Sequence, residues 1–284
     1  MWYEFFLRNG IIPEVIIRPF LRFFYEIRFL KLPSNVEELQ IHLNDFIDKM
    51  KKEPIAISTD IANEQHYELP TRFFKYILGD NMKYSCGHWE GCPTKKELIE
   101  KLNLSEEKML ELTCKRAGIK NGDKILDLGC GWGSLSLFIK ENYQNTKITA
   151  ISNSSTQKVY IESKKEENDY KDLKVITANI VDLKVEENFD VIVSIEMFEH
   201  MRNYEKLLEK LYGFLKPEGT LFVHIFTDKN YPYFFELDNP RNFMAKYFFR
   251  GGIMPSTDLL FYLTSHFSVE KAWKANGTHY RNTL

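Results

Sequence analysis

From Lys124 onward, short apolar runs alternate with stretches whose apolar residues recur at helical spacing. Residues 124–128, 147–151, 174–177, 189–194 and 220–226 have the length and β-branched content of strands. Residues 134–141, 155–167 and 204–215 read as the helices between them. Strand and helix in alternation predict an α/β fold with a doubly wound, mostly parallel sheet. Ligands in such sheets sit beyond the carboxyl ends of the strands. Asp127, Ser152, Ala178, Glu196 and His224 are therefore expected on one rim. Pro217-Glu218-Gly219 reads as a turn before the last of these strands, and 266–273 as a further strand. The segment from Tyr231 to Ser256 breaks the alternation and reads as an inserted cap, about 229–258. Upstream, residues 14–30 and 36–50 are helical in pattern, with Ser34 or Asn35 as N-cap. This divides the chain into a helical extension, 1–55, and a main domain, 56–284. Residues 93–117 of that domain also read as helical.

Composition narrows the partners. The 284 residues carry a net charge of −2 with no basic block, which argues against nucleic acid. The 22 Phe and 15 Tyr suggest an apolar pocket or surface in addition to a core. Cys86, Cys92, Cys114 and Cys130 form no C-x-x-C pair, so neither a metal site nor a disulfide framework is expected and a reducing cytosol fits. Arg8, Glu14, Arg18, Arg22, Glu26 and Arg28 interrupt the apolar stretch between Phe5 and Leu30. It therefore cannot supply the run of about 18 apolar residues that a membrane span needs. As an amphipathic helix it packs on the main domain or on a partner subunit, as in a homodimer, or touches a membrane surface.

The chemistry centres on Ile125-Leu126-Asp127-Leu128-Gly129-Cys130-Gly131-Trp132-Gly133, a strand that ends in a glycine turn and opens a helix. Gly129, Gly131 and Gly133 let backbone approach a ligand closely. D-x-G-x-G-x-G resembles the nucleoside loop of class I S-adenosylmethionine (SAM) dependent methyltransferases. The alternative is an ordinary strand-to-helix turn. No carboxylate follows the second strand, so Asn153 or Gln157 is expected to bond the ribose. Asn179 offers an amide to the adenine edge and Ile180 an apolar face. After the fourth strand stands Ser194-Ile195-Glu196-Met197-Phe198-Glu199-His200. Glu199 and His200 place a base and a charge partner in one turn, the alternative being a solvated helix start. The run lacks the second His of an H-E-x-x-H zinc site. His224 is either a core histidine or a member of the site.

The motifs together resemble the cyclopropane fatty acid synthase superfamily, and within it the coclaurine-type N-methyltransferases. The likeness runs from Gly10-Ile11-Ile12-Pro13 through Asn63-Glu64-Gln65-His66-Tyr67 and Lys83-Tyr84-Ser85-Cys86. It continues through the glycine loop, the Glu199 turn, Gly251-Gly252-Ile253-Met254-Pro255-Ser256 and Asn276-Gly277-Thr278-His279-Tyr280. The resemblance implies SAM as cofactor, a Rossmann-like sheet of the seven-stranded type, Tyr84 and Ser85 over the methionine end, and Gln157 near the ribose. It implies Glu199 in catalysis, with His200 in the amine branch. In the lipid branch it implies Cys86, Glu199, His224 and Tyr280 around a bicarbonate base. Asn179 stands where the family's adenine-binding Asp is expected. The sequence stops at Leu284, before the family's last strand, so that strand is expected to be missing. Three functions follow: methylation of a small amine, modification of unsaturated phospholipid acyl chains, or a non-catalytic SAM-fold protein.

Overall fold

The computed structural model describes residues 5–6, 9–30, 32–57, 69–186, 188–237, 243–263 and 265–283. The Asn63-Glu64-Gln65-His66-Tyr67 motif lies outside them. The chain forms two compact units, residues 1–45 and 46–284. In the first, helix α1 (Glu14–Leu30) leaves Ile16, Phe20, Phe23 and Phe24 exposed. Helix α2 (Val36–Lys52) begins where Asn35 Oδ1 accepts the Glu37 N–H at 2.8 Å, so Asn35 takes the N-terminal donor. Among the described residues no helix is long and apolar enough to cross a membrane.

The second unit takes in the end of α2 and continues with α3 (Thr71–Ile77), α4 (Lys95–Glu100) and α5 (Leu102–Ala117). Thr94 starts α4 with a capping box that includes Glu97. The predicted helix over 93–117 is thus two helices, hinged at Lys101. The alternating part is β1 (Lys124–Leu128), α6 (Ser134–Asn142), β2 (Lys147–Ser152), α7 (Ser155–Glu167), β3 (Leu173–Thr177), β4 (Phe189–Ile195), α8 (Tyr204–Tyr212) and β5 (Leu215–His224). The strands pair in parallel in the order β3-β2-β1-β4-β5. The chain leaves β1 toward one side and returns to β4 on the other, so a crevice opens at the rim between them. Both faces of the sheet are covered, which is why β1 and β4 are apolar throughout their centres. Leu126, Ala150, Ile192 and Val193 are fully buried in this core.

Two expectations are corrected. Pro217-Glu218-Gly219 does not precede the last strand but lies inside it. Phe189 pairs with Leu215 and Val191 with Thr220, so the partner strand bulges between them. Glu218 takes φ +62° to make that excursion. Residues 266–273 form no strand, because they pair with no neighbour despite their apolar pattern. Trp273 instead lies 6.4 Å from Phe222 of β5, with the Arg116 guanidinium 5.0 Å over its ring. Beyond β5, a two-stranded antiparallel ribbon, β6 (Tyr233–Phe234) and β7 (Ile253–Met254), frames the short helix α9 (Phe243–Tyr247). Helix α10 (Gly277–Thr283) follows.

Candidate active site

The glycine turn is held by two bonds from outside it: the N–H groups of Gly129 and Cys130 both donate to the Ile151 carbonyl, at 3.0 and 2.9 Å. Gly129 and Gly133 each have φ +79° and Gly131 +55°, a region that L side chains rarely adopt. A Cβ on Gly129 would meet Met197, and one on Gly133 would meet Ile161. At Gly131 the space is open and the residue faces a cavity. Asp127 lies beneath the loop. It is buried and accepts the Ser136 hydroxyl at 2.7 Å, and burial raises its pKa to about 6. It ties β1 to α6 and is not among the residues that line the cavity.

The cavity runs along the carboxyl rim. Gly129 and Gly131 line it with Ser152, Asn153, Gln157, Asn179 and Ile180 on one side, and Glu196, Met197, His200 and Arg250 on the other. Gln157 is positioned by its neighbours. Its side-chain oxygen accepts the Ser152 hydroxyl at 2.6 Å, and its N–H is capped by Ser154 at 3.3 Å. Among the described residues its Nε2 is buried with no partner. A buried amide donor without an acceptor costs about 1–3 kcal/mol, so a ligand acceptor at this spot would recover that cost.

Glu196 follows β4 with φ +50° and accepts the Cys86 N–H at 2.9 Å. Burial raises its pKa, against the lowering effect of Lys83 and of that bond. Glu199 and His200 stand on the next turn, Phe198–His200. Glu199 is wholly buried; one oxygen accepts the Phe226 N–H at 2.8 Å and the other has no partner among the described residues. Burial and then Glu196 push its pKa well above the usual carboxylate range. His200 faces the cavity, with its ring 5.2 Å from Phe249. Of the two carboxylates it is therefore Glu196 that reaches the cavity wall, whereas the sequence pointed first to Glu199. His224, at the end of β5, is held neutral by burial, with a pKa of about 4.

The remaining expected residues lie on one loop and one helix. Tyr84 packs edge-on against Phe74 at 5.2 Å, and Phe74 tilts against Trp132 of the glycine turn at 4.9 Å. Burial raises the Cys86 pKa to about 11. Helix α10, which carries Tyr280, braces this loop. Gly87 N–H and Trp89 Nε1 donate to Thr283 Oγ1 at 2.9 and 3.0 Å, and Trp89 N–H donates to His279 Nδ1 at 3.0 Å. Sequence reasoning missed Lys83 and Arg202. Both are buried cations, a rarity that only the fold reveals. Arg202 donates to the Gly251 carbonyl and to Glu236, and lies 4.4 Å over the Phe234 ring. It thereby fastens the β6–β7 ribbon to the turn after β4.

The sheet order, the glycine turn and the open amide donor define a class I SAM-dependent methyltransferase, and the cavity residues fit that cofactor. A family profile described as mycolic acid cyclopropane synthetase matches residues 56–284. The chain belongs to that family. It is 33% identical over 280 residues to (S)-coclaurine N-methyltransferase of Thalictrum flavum subsp. glaucum, covering 98% of this chain and 76% of the relative. It is 28% identical over 226 residues to cyclopropane-fatty-acyl-phospholipid synthase of Escherichia coli (strain K12), covering 79% of this chain and 54% of the relative. A crystal structure of coclaurine N-methyltransferase bound to N-methylheliamine and SAH superposes with a TM-score of 0.91 at 31% identity, covering 98% of this chain and 79% of that one.

Proposed function

We propose that this protein transfers the methyl group of SAM to the nitrogen of a small amine. The observation that carries the reading is that Glu196 and His200 line the same cavity as the glycine turn, with Glu199 buried on the same turn as His200. SAM, when bound, supplies a methyl group already activated on a sulfonium. What remains for the chain is to align the nitrogen, free its lone pair and exclude water. Gly129, Gly131, Gly133, Asn153, Gln157, Asn179 and Ile180 would hold the nucleoside. Tyr84 and Ser85 would cover the methionine end, and Asp127 keeps the loop in shape. His200 and Glu196 attract an ammonium ion and take its proton. Glu199, wholly buried, accepts the Phe226 N–H and fixes the turn that carries His200. The residues from Tyr231 to Ser256 act as an aromatic cap over the acceptor, where Phe235 stacks on Phe249 at 5.1 Å. The similarity to coclaurine N-methyltransferase over nearly the whole chain supports the amine.

Bicarbonate fits poorly. Cys86, one of the residues that the lipid branch would use for it, already donates its N–H to the Glu196 carboxylate. A second anion beside Glu196 and Glu199 would be repelled. One observation favours the lipid reading, which is the exposed Phe20, Phe23 and Phe24 face of α1. Co-sedimentation with vesicles, together with a product heavier by one methylene, would support it over the amine. A cytosolic setting belongs to the same proposal. The deciding experiment is the double substitution Glu199→Ala with His200→Ala. Calorimetry should show SAM binding retained, while turnover of amine falls at least about 100-fold. Undiminished turnover would overturn the assignment.

A further inference from the structure

We propose that Lys83 is a positioning residue for Glu196: its buried ammonium pins the turn at Ser85 and Cys86 so that the Cys86 N–H meets the Glu196 carboxylate, and it keeps that carboxylate charged beside the acceptor. The proposal rests on the amine reading. Lys83 is 0% exposed, and its Nζ donates to Ser85 Oγ at 2.5 Å and to the Cys86 carbonyl at 2.8 Å. Both acceptors are neutral. Burial lowers the Lys83 pKa, and Glu196, then Cys86 and Glu106, oppose that shift, so the ammonium form depends on a negative charge nearby.

The groups that face it limit where that charge can reside. The Cys86 thiol, on the same loop, is neutral, with its pKa pushed to about 11, and His224 at the end of β5 is neutral at about 4. Arg116 acts on His224 with the same sign as Lys83. Two carboxylates remain, Glu196 after β4 and Glu106 on α5. Glu106 already accepts the Gly79 N–H at 2.8 Å. Glu196 accepts one N–H, from Cys86, whose own carbonyl is held by Lys83. The clamp therefore links ammonium, peptide and carboxylate in series. Around Glu196, burial disfavours charge, its charge in turn raises the Glu199 pKa, and Tyr84 offers a phenol that burial keeps protonated. Lys83 is the strongest influence that favours the charged form, ahead of the Cys86 N–H. Glu196 also holds φ +50°, a costly backbone angle for Glu that fixes where its side chain starts. A carboxylate placed so deliberately serves an ammonium ligand only while ionised.

The test uses the full chain with SAM and the amine that the wild type methylates best. Lys83→Met should lower kcat/KM at neutral pH by roughly 10- to 100-fold. The acidic limb of its pH profile should move to higher pH, while Lys83→Arg stays near wild type on both counts. In a Glu196→Gln background, Lys83→Met should cost nothing further. A second readout needs neither turnover nor SAM. In protein labelled with ¹³C at the glutamate carboxyls, the Glu196 signal, assigned through Glu196→Gln, should titrate at higher pH in Lys83→Met. In the wild type the same signal should respond again when Lys83 loses its proton at alkaline pH. An unmoved limb with an unmoved Glu196 titration would make Lys83 a structural pin only. Absence of the alkaline response overturns the proposal even if the Met variant does not fold. Failure of the wild type to methylate any amine would instead strike the amine reading and leave the carboxyl titration to decide the role of Lys83.

Discussion

Gln157 is the residue whose state in the folded chain most directly asks for a ligand. Its amide oxygen is satisfied by Ser152, and its amide nitrogen is buried with nothing to donate to among the described residues. Removing such a donor relieves a cost in the free protein and creates one in the complex. Gln157→Ala also strips the Ser152 hydroxyl of its acceptor and leaves a cavity, so it should lower the unliganded melting temperature by about 2–4 °C, while weakening SAM roughly ten-fold by calorimetry. Two other residues oppose each other in acid. His224 has a folded pKa near 4 against an ordinary 6.5, so the unfolded chain binds the extra proton and stability falls as pH drops through that window. Asp127 has a folded pKa near 6 against 3.8, so there the folded chain binds the proton and stability rises as pH drops. Melts between pH 7 and 4 should show His224→Gln losing less stability than wild type and Asp127→Asn losing more.

Among the elements, the β6–β7 ribbon determines how the cavity closes. Gly252, next to β7, lies so close to the Glu199 carbonyl that an added Cβ would collide with backbone. Arg202 holds the same corner from the other side through the Gly251 carbonyl. Gly252→Ala must push the ribbon away from the Glu199 turn. We expect kcat/KM to fall roughly 10- to 100-fold with SAM affinity preserved, measured by steady-state kinetics and calorimetry. Elements were legible in the sequence where one rule governed them. The apolar runs of β1 and β4 and the helical period of α8, with Tyr204, Leu207, Leu208 and Leu211 on one buried face, needed nothing further. The misreadings came where pairing decides. Residues 266–273 have strand-like chemistry and no partner, and β5 absorbs Pro217 and Gly219 as a bulge instead of starting after them. Pairing is a property of two segments, and one segment's pattern does not carry it.

At the scale of the molecule, parallel order follows from strand-helix alternation, and with it the rim where Ser152, Asn153, Gln157, Asn179 and Glu196 converge. That convergence could be read from the sequence, since each residue ends or follows a strand. The Cys86 to Glu196 bond, between residues 110 apart, could not. Neither could the burial of Lys83 and Arg202, since lysine and arginine are ordinarily surface residues. The loop with Tyr84, Ser85 and Cys86 is fastened at its far side by Thr283, 196 residues beyond Gly87. Closing so long a stretch of chain is entropically slow, and such contacts form after local ones. A ribosome making this protein would thus release a nucleoside crevice long before the wall opposite it is braced. Order of synthesis becomes order of assembly, with the cofactor half of the site ready first and the reacting half fixed only when α10 arrives.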